Sequence, residues 1–449
     1  MKKEVPENQS SAIHNGILDE FKEFEQSIKL FRDIRTIVIP KHTEEQLRMK
    51  RFEKELLNVH KDKNLAIEYC LVFLSNFAHI HFDYNNQDKW KPLYSKILLE
   101  QIPGSDARYK KVIEFLLKNI FSSSPMIEVK KNKKGTPSYE VGINSIQYRL
   151  SNKFSNNGFI KYTITSDSLI KQRLKVQYRN MKDVTTNPIA KNLLTVYPKI
   201  TLPTSAEIFI EAKQLKKNKF TNNKGKKLTI LGRRKKSELK DFSKRFSYED
   251  CLMHFNYLTV NGFLIPTISG RRAGGRVYDS FNLMPSFIRN LIKIDKENVV
   301  NIDLKCLHPN LSMKLYNGSS KYLTHQFIAD QLKLDVKEVK IEHLSFFNMK
   351  ESQMKLSPLF DYYTKNEPQM LENLIEDKNK NTFKITSEKM FNLEVKIMTE
   401  SIKRLNETDI YPLYVFDALL VKCSDQNETE LIMNDVLKEM DIYTIGVKS

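Results

Sequence analysis

VVNID at residues 299–303 and YPLYVFD at residues 411–417 share one pattern, a short apolar run rich in β-branched or aromatic side chains that ends in an aspartate. Runs of this composition suit strands. The second is followed by another apolar run at residues 418–421. Two buried strands with an acid at each tip can bring their carboxylates to one pair of divalent cations. Phosphoryl transfer uses such a pair, with the ions about 3.5–4 Å apart, and carboxylate oxygens are the hard ligands Mg²⁺ takes. Alone, each aspartate reads as a strand-terminal turn residue. Together, and with a basic loop upstream, Asp303 and Asp417 read as candidate catalytic and metal-holding residues.

The basic loop is SGRRAGGRVYDS, residues 269–280. Its glycines permit close backbone approach to a ligand, and Arg271, Arg272 and Arg276 offer forked donors that match phosphate. Before it, FNYLTVNGFLI at residues 255–265 reads as strand and turn around Asn261-Gly262. After it, residues 387–405 read as an amphipathic helix with Met390, Leu393, Ile397, Ile402 and Leu405 on one face and Ser387 as its cap. Glu394 and Glu400 fall on its charged face. Phe360, Tyr362 and Tyr363 read as aromatic core, with base stacking as the alternative.

The chain has 449 residues, too many for one ordinary core. A hydrophobic share of 40% is enough for globular folding. Lys and Arg number 73 against 54 Asp and Glu, a formal charge of +19 that attracts polyanions. Nucleic acid is the expected partner, and no membrane is expected, because no apolar stretch reaches the roughly 18 residues a spanning helix needs. The N-terminal residues are polar and lack a signal-like apolar stretch. Cys70, Cys251, Cys306 and Cys423 lie far apart with no C-x-x-C pair, which argues against a zinc ribbon or disulfide framework and for a reducing cytoplasm.

Three regions are expected in an α+β chain. Residues 1–125 read as a helical N-terminal domain. Within them residues 66–77 are apolar all round, residues 109–121 carry helical spacing, and Trp90 reads as a packing anchor. Residues 126–247 read as a small mixed α/β module, with a helix starting near Ser166 or Ser168. Its basic arm at residues 213–245 holds 14 Lys and Arg against two acids. Lys226, Lys227, Arg233, Arg234, Lys235 and Lys236 in that arm are candidate phosphate contacts. Residues 248–449 read as one domain around the two aspartates.

The stretch from Gly274 to Tyr316 resembles the approach to motif A of the family A DNA polymerases and the single-subunit, phage-type RNA polymerases. Arg276 matches the Gly-Arg element and Asp303 the motif A aspartate. Asp417, in YVFDALLVK, resembles motif C, with Phe416 where histidine is usual. The likeness is closer to uncharacterised phage and mobile-element proteins that share GRVY, Met284-Pro285, Arg289 and Asp303-Leu304-Lys305, here with His308-Pro309 in place of Gln-Pro. The resemblance implies a palm domain in which Asp303, Asp417 and the Leu304 carbonyl hold two Mg²⁺ (or Mn²⁺). It implies template-primer DNA or RNA and nucleoside triphosphates as partners. Arg271, Arg272, Arg276 and Tyr278 would then meet nucleic acid, and Lys350, Lys355, Tyr363 and His308 the nucleotide. Lys355 and Tyr363 keep the motif B spacing, but Glu351 and Thr364 replace its Arg and Gly, and Pro358 breaks the helix between them. The implied activity is a template-dependent polymerase or primase-like nucleotidyltransferase. A degenerate palm that only binds nucleic acid and a two-metal nuclease are the alternatives.

Overall fold

The computed structural model describes residues 30–82, 88–104, 108–121, 124–132, 134–137, 145–218 and 248–448. The chain is α+β. It forms two compact units that interleave in sequence: residues 1–181 with 209–263, and residues 182–208 with 264–449.

The first unit is built on α1 (Lys63–Phe82), the expected all-apolar helix, which packs against β1 (Thr36–Pro40). This helix is long and apolar enough to cross a membrane by length and composition, which the sequence reading did not anticipate, and 67% of that span is buried inside the unit. A three-stranded sheet follows, ordered β2 (Lys91–Pro92), β4 (Gln147–Leu150), β3 (Ile127–Val129). The second expected helix is α2 (Arg108–Leu116), with Val112, Ile113, Phe115 and Leu116 buried. β1 pairs antiparallel with β5 (Phe159–Thr163). Met126, Ile127, Tyr148, Leu150, Phe154, Tyr162 and Leu169 share one hydrophobic core with Leu71, Phe73 and Val112, so apolar packing runs across residue 125. Trp90 is half-buried with the Arg149 guanidinium over its ring at 4.5 Å, the packing role expected of it.

Buried Glu68 on α1 fixes the start of α3 (Asp167–Thr186). Its carboxylate accepts from the Tyr162 hydroxyl at 3.1 Å, the Thr165 N–H and hydroxyl at 2.6 and 2.8 Å, and the Ser166 N–H at 3.0 Å. Four donors satisfy both oxygens of this carboxylate where water cannot reach it. The first unit also takes the helix Tyr248–Thr259, whose last residues, from Phe255, the sequence suggested as strand and turn. Cys251, Phe255 and Leu258 are buried at spacings of four and three, a helical stripe that the aromatic composition disguised. Of the basic arm, Lys213, Lys216 and Lys217 end the helix Ser205–Lys217. Lys226, Lys227, Arg233, Arg234, Lys235 and Lys236 lie outside the described residues.

The second unit holds a sheet ordered β11 (Leu413–Val415), β12 (Ala418–Lys422), β10 (Glu297–Leu304), β9 (Lys293–Ile294), β6 (Ile200–Thr201), with β13 (Gly446–Lys448) also on β10. Both aspartate-tipped runs are strands, as expected. Along β10 the period of two buries Val300, Ile302 and Leu304 on one face and leaves Asn301 and Asp303 half-buried on the other. α10 (Gln426–Glu439) packs against β10, β12 and β13. α4 (Pro188–Val196) packs on α9 (Ile385–Glu407), and buried Asn192 donates to the Pro412 carbonyl at 2.7 Å. Helix α9 starts two residues before Ser387, whose hydroxyl bonds Asn348 rather than capping the helix. Its buried face carries Met390, Ile397, Ile402 and Leu405 as expected, but also Glu394, while Leu393 is half-buried.

Candidate functional site

Register brings the two aspartates together. β10 and β12 run antiparallel with Asp303 opposite Ala418, and the Leu304 N–H donates to the Asp417 carbonyl at 3.1 Å. Val415 pairs with Ala418, so Phe416 and Asp417 are the two turn residues of a hairpin. Phe416 adopts φ 58°, a left-handed conformation that costs an aromatic residue energy and that hairpin turns usually give to Gly or Asn. The turn therefore fixes Asp417 against the end of β10. Asp303 also pairs with Val447 of β13, and Leu304 with Gly446, so the acid sits mid-sheet between two neighbours.

Burial pushes the Asp417 carboxyl up to about 6, helped by the Asp303 and Glu394 charges and opposed by His308. Crowded carboxylates of this kind suit a hard cation, which would remove their repulsion. Among the described residues no group of three or more His, Cys, Asp or Glu side chains is arranged to hold a metal ion. The protein ligands on offer are thus the two aspartates and nearby backbone. Mg²⁺ sites often have only one or two carboxylates, with water and phosphate oxygens completing the shell.

The sequence reading missed Glu394. Its side chain is fully buried, and the Arg276 fork grips it with Nε at 2.7 Å and Nη2 at 2.5 Å. His308 Nε2 lies 3.2 Å from the same carboxylate. Burial alone would raise the Glu394 carboxyl, but hydrogen bonds from His308 and Arg276 outweigh it and hold it below the usual range. The Arg276 guanidinium lies between two rings, 3.8 Å from the Phe391 centroid and 5.0 Å from that of Phe416. Gly274 makes this possible. It has φ 69°, and a Cβ there would lie 2.4 Å from the Phe391 backbone. A signal for Glu394 was present: it sits four residues after Met390 and three before Ile397, inside the apolar stripe.

The other expected residues divide. His308 joins the carboxylate cluster and begins α5 (Leu307–Leu315). Tyr278 packs edge-on against Phe416 at 5.4 Å. Arg271 is exposed and pairs with Glu388, and Arg272 is exposed. Arg276 was expected to face nucleic acid, but its fork is taken by Glu394. The motif B-like stretch is broken, as Pro358 suggested, with Ser357 capping α7 (Pro358–Asn366). Tyr363 on α7 is fully buried, its hydroxyl 2.9 Å from His343 Nε2, because α7 turns it into the core against Phe346. That burial fits the aromatic-core reading and gives the expected nucleotide contact no exposed surface on Tyr363. Lys355 is exposed and pairs with Glu351 at 2.7 Å, and Lys350 lies over the Phe383 ring at 5.5 Å. Glu400 pairs with Arg404 at 3.1 Å, on the charged face as expected.

No family model matches the chain, and no curated protein matches it. Among solved structures it is similar to the POL domain of Pol1 from M. smegmatis in complex with DNA primer-template and dNTP, at 11% identity and a TM-score of 0.36, over 62% of this chain and 72% of that one. At that score the likeness says nothing of activity.

Proposed function

We propose that the chain is a template-dependent nucleic-acid polymerase, a nucleotidyltransferase with a reduced palm whose catalytic acids are Asp303 and Asp417. The reading is carried by one observation. The antiparallel register of β10 and β12 brings two aspartates to one sheet end, where burial, and then the Asp303 charge, raise Asp417. Asp303, Asp417 and the Leu304 carbonyl would hold Mg²⁺ or Mn²⁺. Such ions, when bound, supply Lewis-acid stabilisation of the attacking and leaving oxygens.

The residues of the chain do the rest. The strained turn at Phe416 and the β10 ladder hold the two acids in one place, which converts binding into alignment. A primer 3′-hydroxyl oxygen would form its new bond to the α-phosphorus of a nucleoside triphosphate, the bond to pyrophosphate would break, and the hydroxyl proton would leave to solvent. His308 lies beside the acids and would meet the incoming nucleotide. Arg271, Arg272 and the arm lysines and arginines would track template-primer phosphates. The expected compartment is the cytoplasm.

A second reading, a palm that binds nucleic acid without catalysis, draws support from Tyr363 being buried and Lys355 being paired. Primer extension with labelled DNA and RNA templates separates the two. Extension by the wild type and none by Asp303→Ala/Asp417→Ala is expected. Equal binding by both proteins with no extension would leave the binding-only reading, and shortening of the primer would point to hydrolysis at the same acids.

A further inference from the structure

We propose that Tyr414 is a positioning residue for Arg276, its hydroxyl taking over Glu394 when the Arg276 guanidinium turns from that carboxylate to a phosphate. The inference rests on the functional reading above and gives the site a second hydrogen-bond arrangement.

Tyr414 lies on β11, is fully buried, and its Oη has no hydrogen-bond partner among the described residues. Buried phenols ordinarily find one, since an unmet donor is costly. Glu394, Arg276, Asp417 and Tyr278 all act on this phenol electrostatically. Glu394 Oε1 accepts from Arg276 Nε, and Oε2 accepts from Arg276 Nη2 and lies 3.2 Å from His308 Nε2, so Arg276 is the main donor holding this carboxylate. An idle donor next to a carboxylate held by another donor marks one of two possible arrangements.

The surroundings permit the second. Arg276 lies in a slot between Phe391 and Phe416, and a planar guanidinium can slide in such a slot without leaving the ring faces. Glu394 cannot be left bare, because a buried charge stripped of its partner is strongly destabilising. Tyr414 supplies the replacement donor, and His308 stays in place. Burial and the nearby Glu394 charge push the Tyr414 phenol up, so it keeps its proton and remains a donor. No covalent bond changes: two Arg276 N–H donors pass from Glu394 to a phosphate, and the Tyr414 O–H passes to Glu394.

The test uses the full chain and fluorescently labelled primer-template DNA, titrated by anisotropy across a salt series without nucleotide. Tyr414→Phe removes one oxygen. Its melting temperature should hold or rise, because the lost hydroxyl has no partner among the described residues. DNA affinity should fall about tenfold, and the slope of log affinity against log salt should shrink by about one. Adding Glu394→Gln to Tyr414→Phe should restore both, since Arg276 can leave a neutral amide freely. Wild-type affinity and slope in Tyr414→Phe, or a loss that Glu394→Gln does not restore, would overturn the proposal. These readouts need no catalysis. Primer extension absent in a wild type that shows the expected binding pattern defeats the polymerase reading alone. Extension present, with Tyr414→Phe binding like wild type, defeats this inference alone.

Discussion

Burial and the facing Asp303 and Glu394 charges raise the Asp417 carboxyl from 3.8 to about 6, against the opposing effect of His308. The folded state therefore holds a proton that the unfolded chain has lost between about pH 4 and pH 6. Stability from this group is present at low pH and is lost as pH rises through that window. Asp417→Asn should then raise stability at pH 7.5 by about 1–3 kcal/mol without divalent cation, and change it little at pH 4. Urea melts at the two pH values check this; equal shifts at both would refute it. Added Mg²⁺ or Mn²⁺ should raise the wild-type melting temperature and leave Asp303→Ala/Asp417→Ala unmoved. The Arg276–Glu394 pair makes a different prediction. Arg276→Ala leaves a fully buried carboxylate with His308 as its remaining partner, and should cost about 3–5 kcal/mol in chemical denaturation. Arg276→Met with Glu394→Leu should recover most of that loss, because it removes both charges.

At the scale of elements, Glu68, in the second turn of α1, holds the Thr165 and Ser166 N–H groups just before α3. Glu68→Ala should destabilise the first unit by about 2–4 kcal/mol, since the Tyr162 hydroxyl and two backbone N–H groups lose their acceptor. Hydrogen exchange should show the loss first at the start of α3; uniform loss across the unit would contradict the anchoring role. The strands carrying the two aspartates were legible because their signal is local: a β-branched or aromatic run that stops at an acid. The helix Tyr248–Thr259 was not, because Phe, Tyr and Leu satisfy strand and helix equally until packing decides. Tyr363 shows the same limit in function. Its spacing from Lys355 is a property of sequence, but whether it faces a ligand or His343 depends on how α7 rolls against its neighbours. Glu394 and Tyr414 were hidden for a related reason. Each became part of the site only through pairings across more than a hundred residues or through a buried sheet face.

For the whole molecule, the apolar pattern announced an α+β chain with a basic surplus, but not how its segments are shared out. The second unit draws on residues 182–208. Tyr197 donates to the buried Asp279 carboxylate at 2.6 Å, Asn192 donates to Pro412, and β6 pairs with β9. A fragment of residues 264–449 alone should lack these ties and show the weak near-ultraviolet dichroism of a loosely packed protein. Co-expression with a peptide of residues 182–208 should restore a cooperative melt. A cooperative melt without the peptide would show that the segment is dispensable. Local sequence could not reveal this sharing, because each segment's partners lie far along the chain.

That interleaving also restricts how the gene can be rearranged. A single crossover at any point keeps one stretch of chain on each side, and neither unit occupies one stretch. Exchange of either unit between related genes therefore needs three breakpoints, near residues 181–182, 208–209 and 263–264. Homologues that diverge by recombination should have inherited the two units as a bloc, and insertions should collect inside segments rather than at the points where the chain passes from one unit to the other.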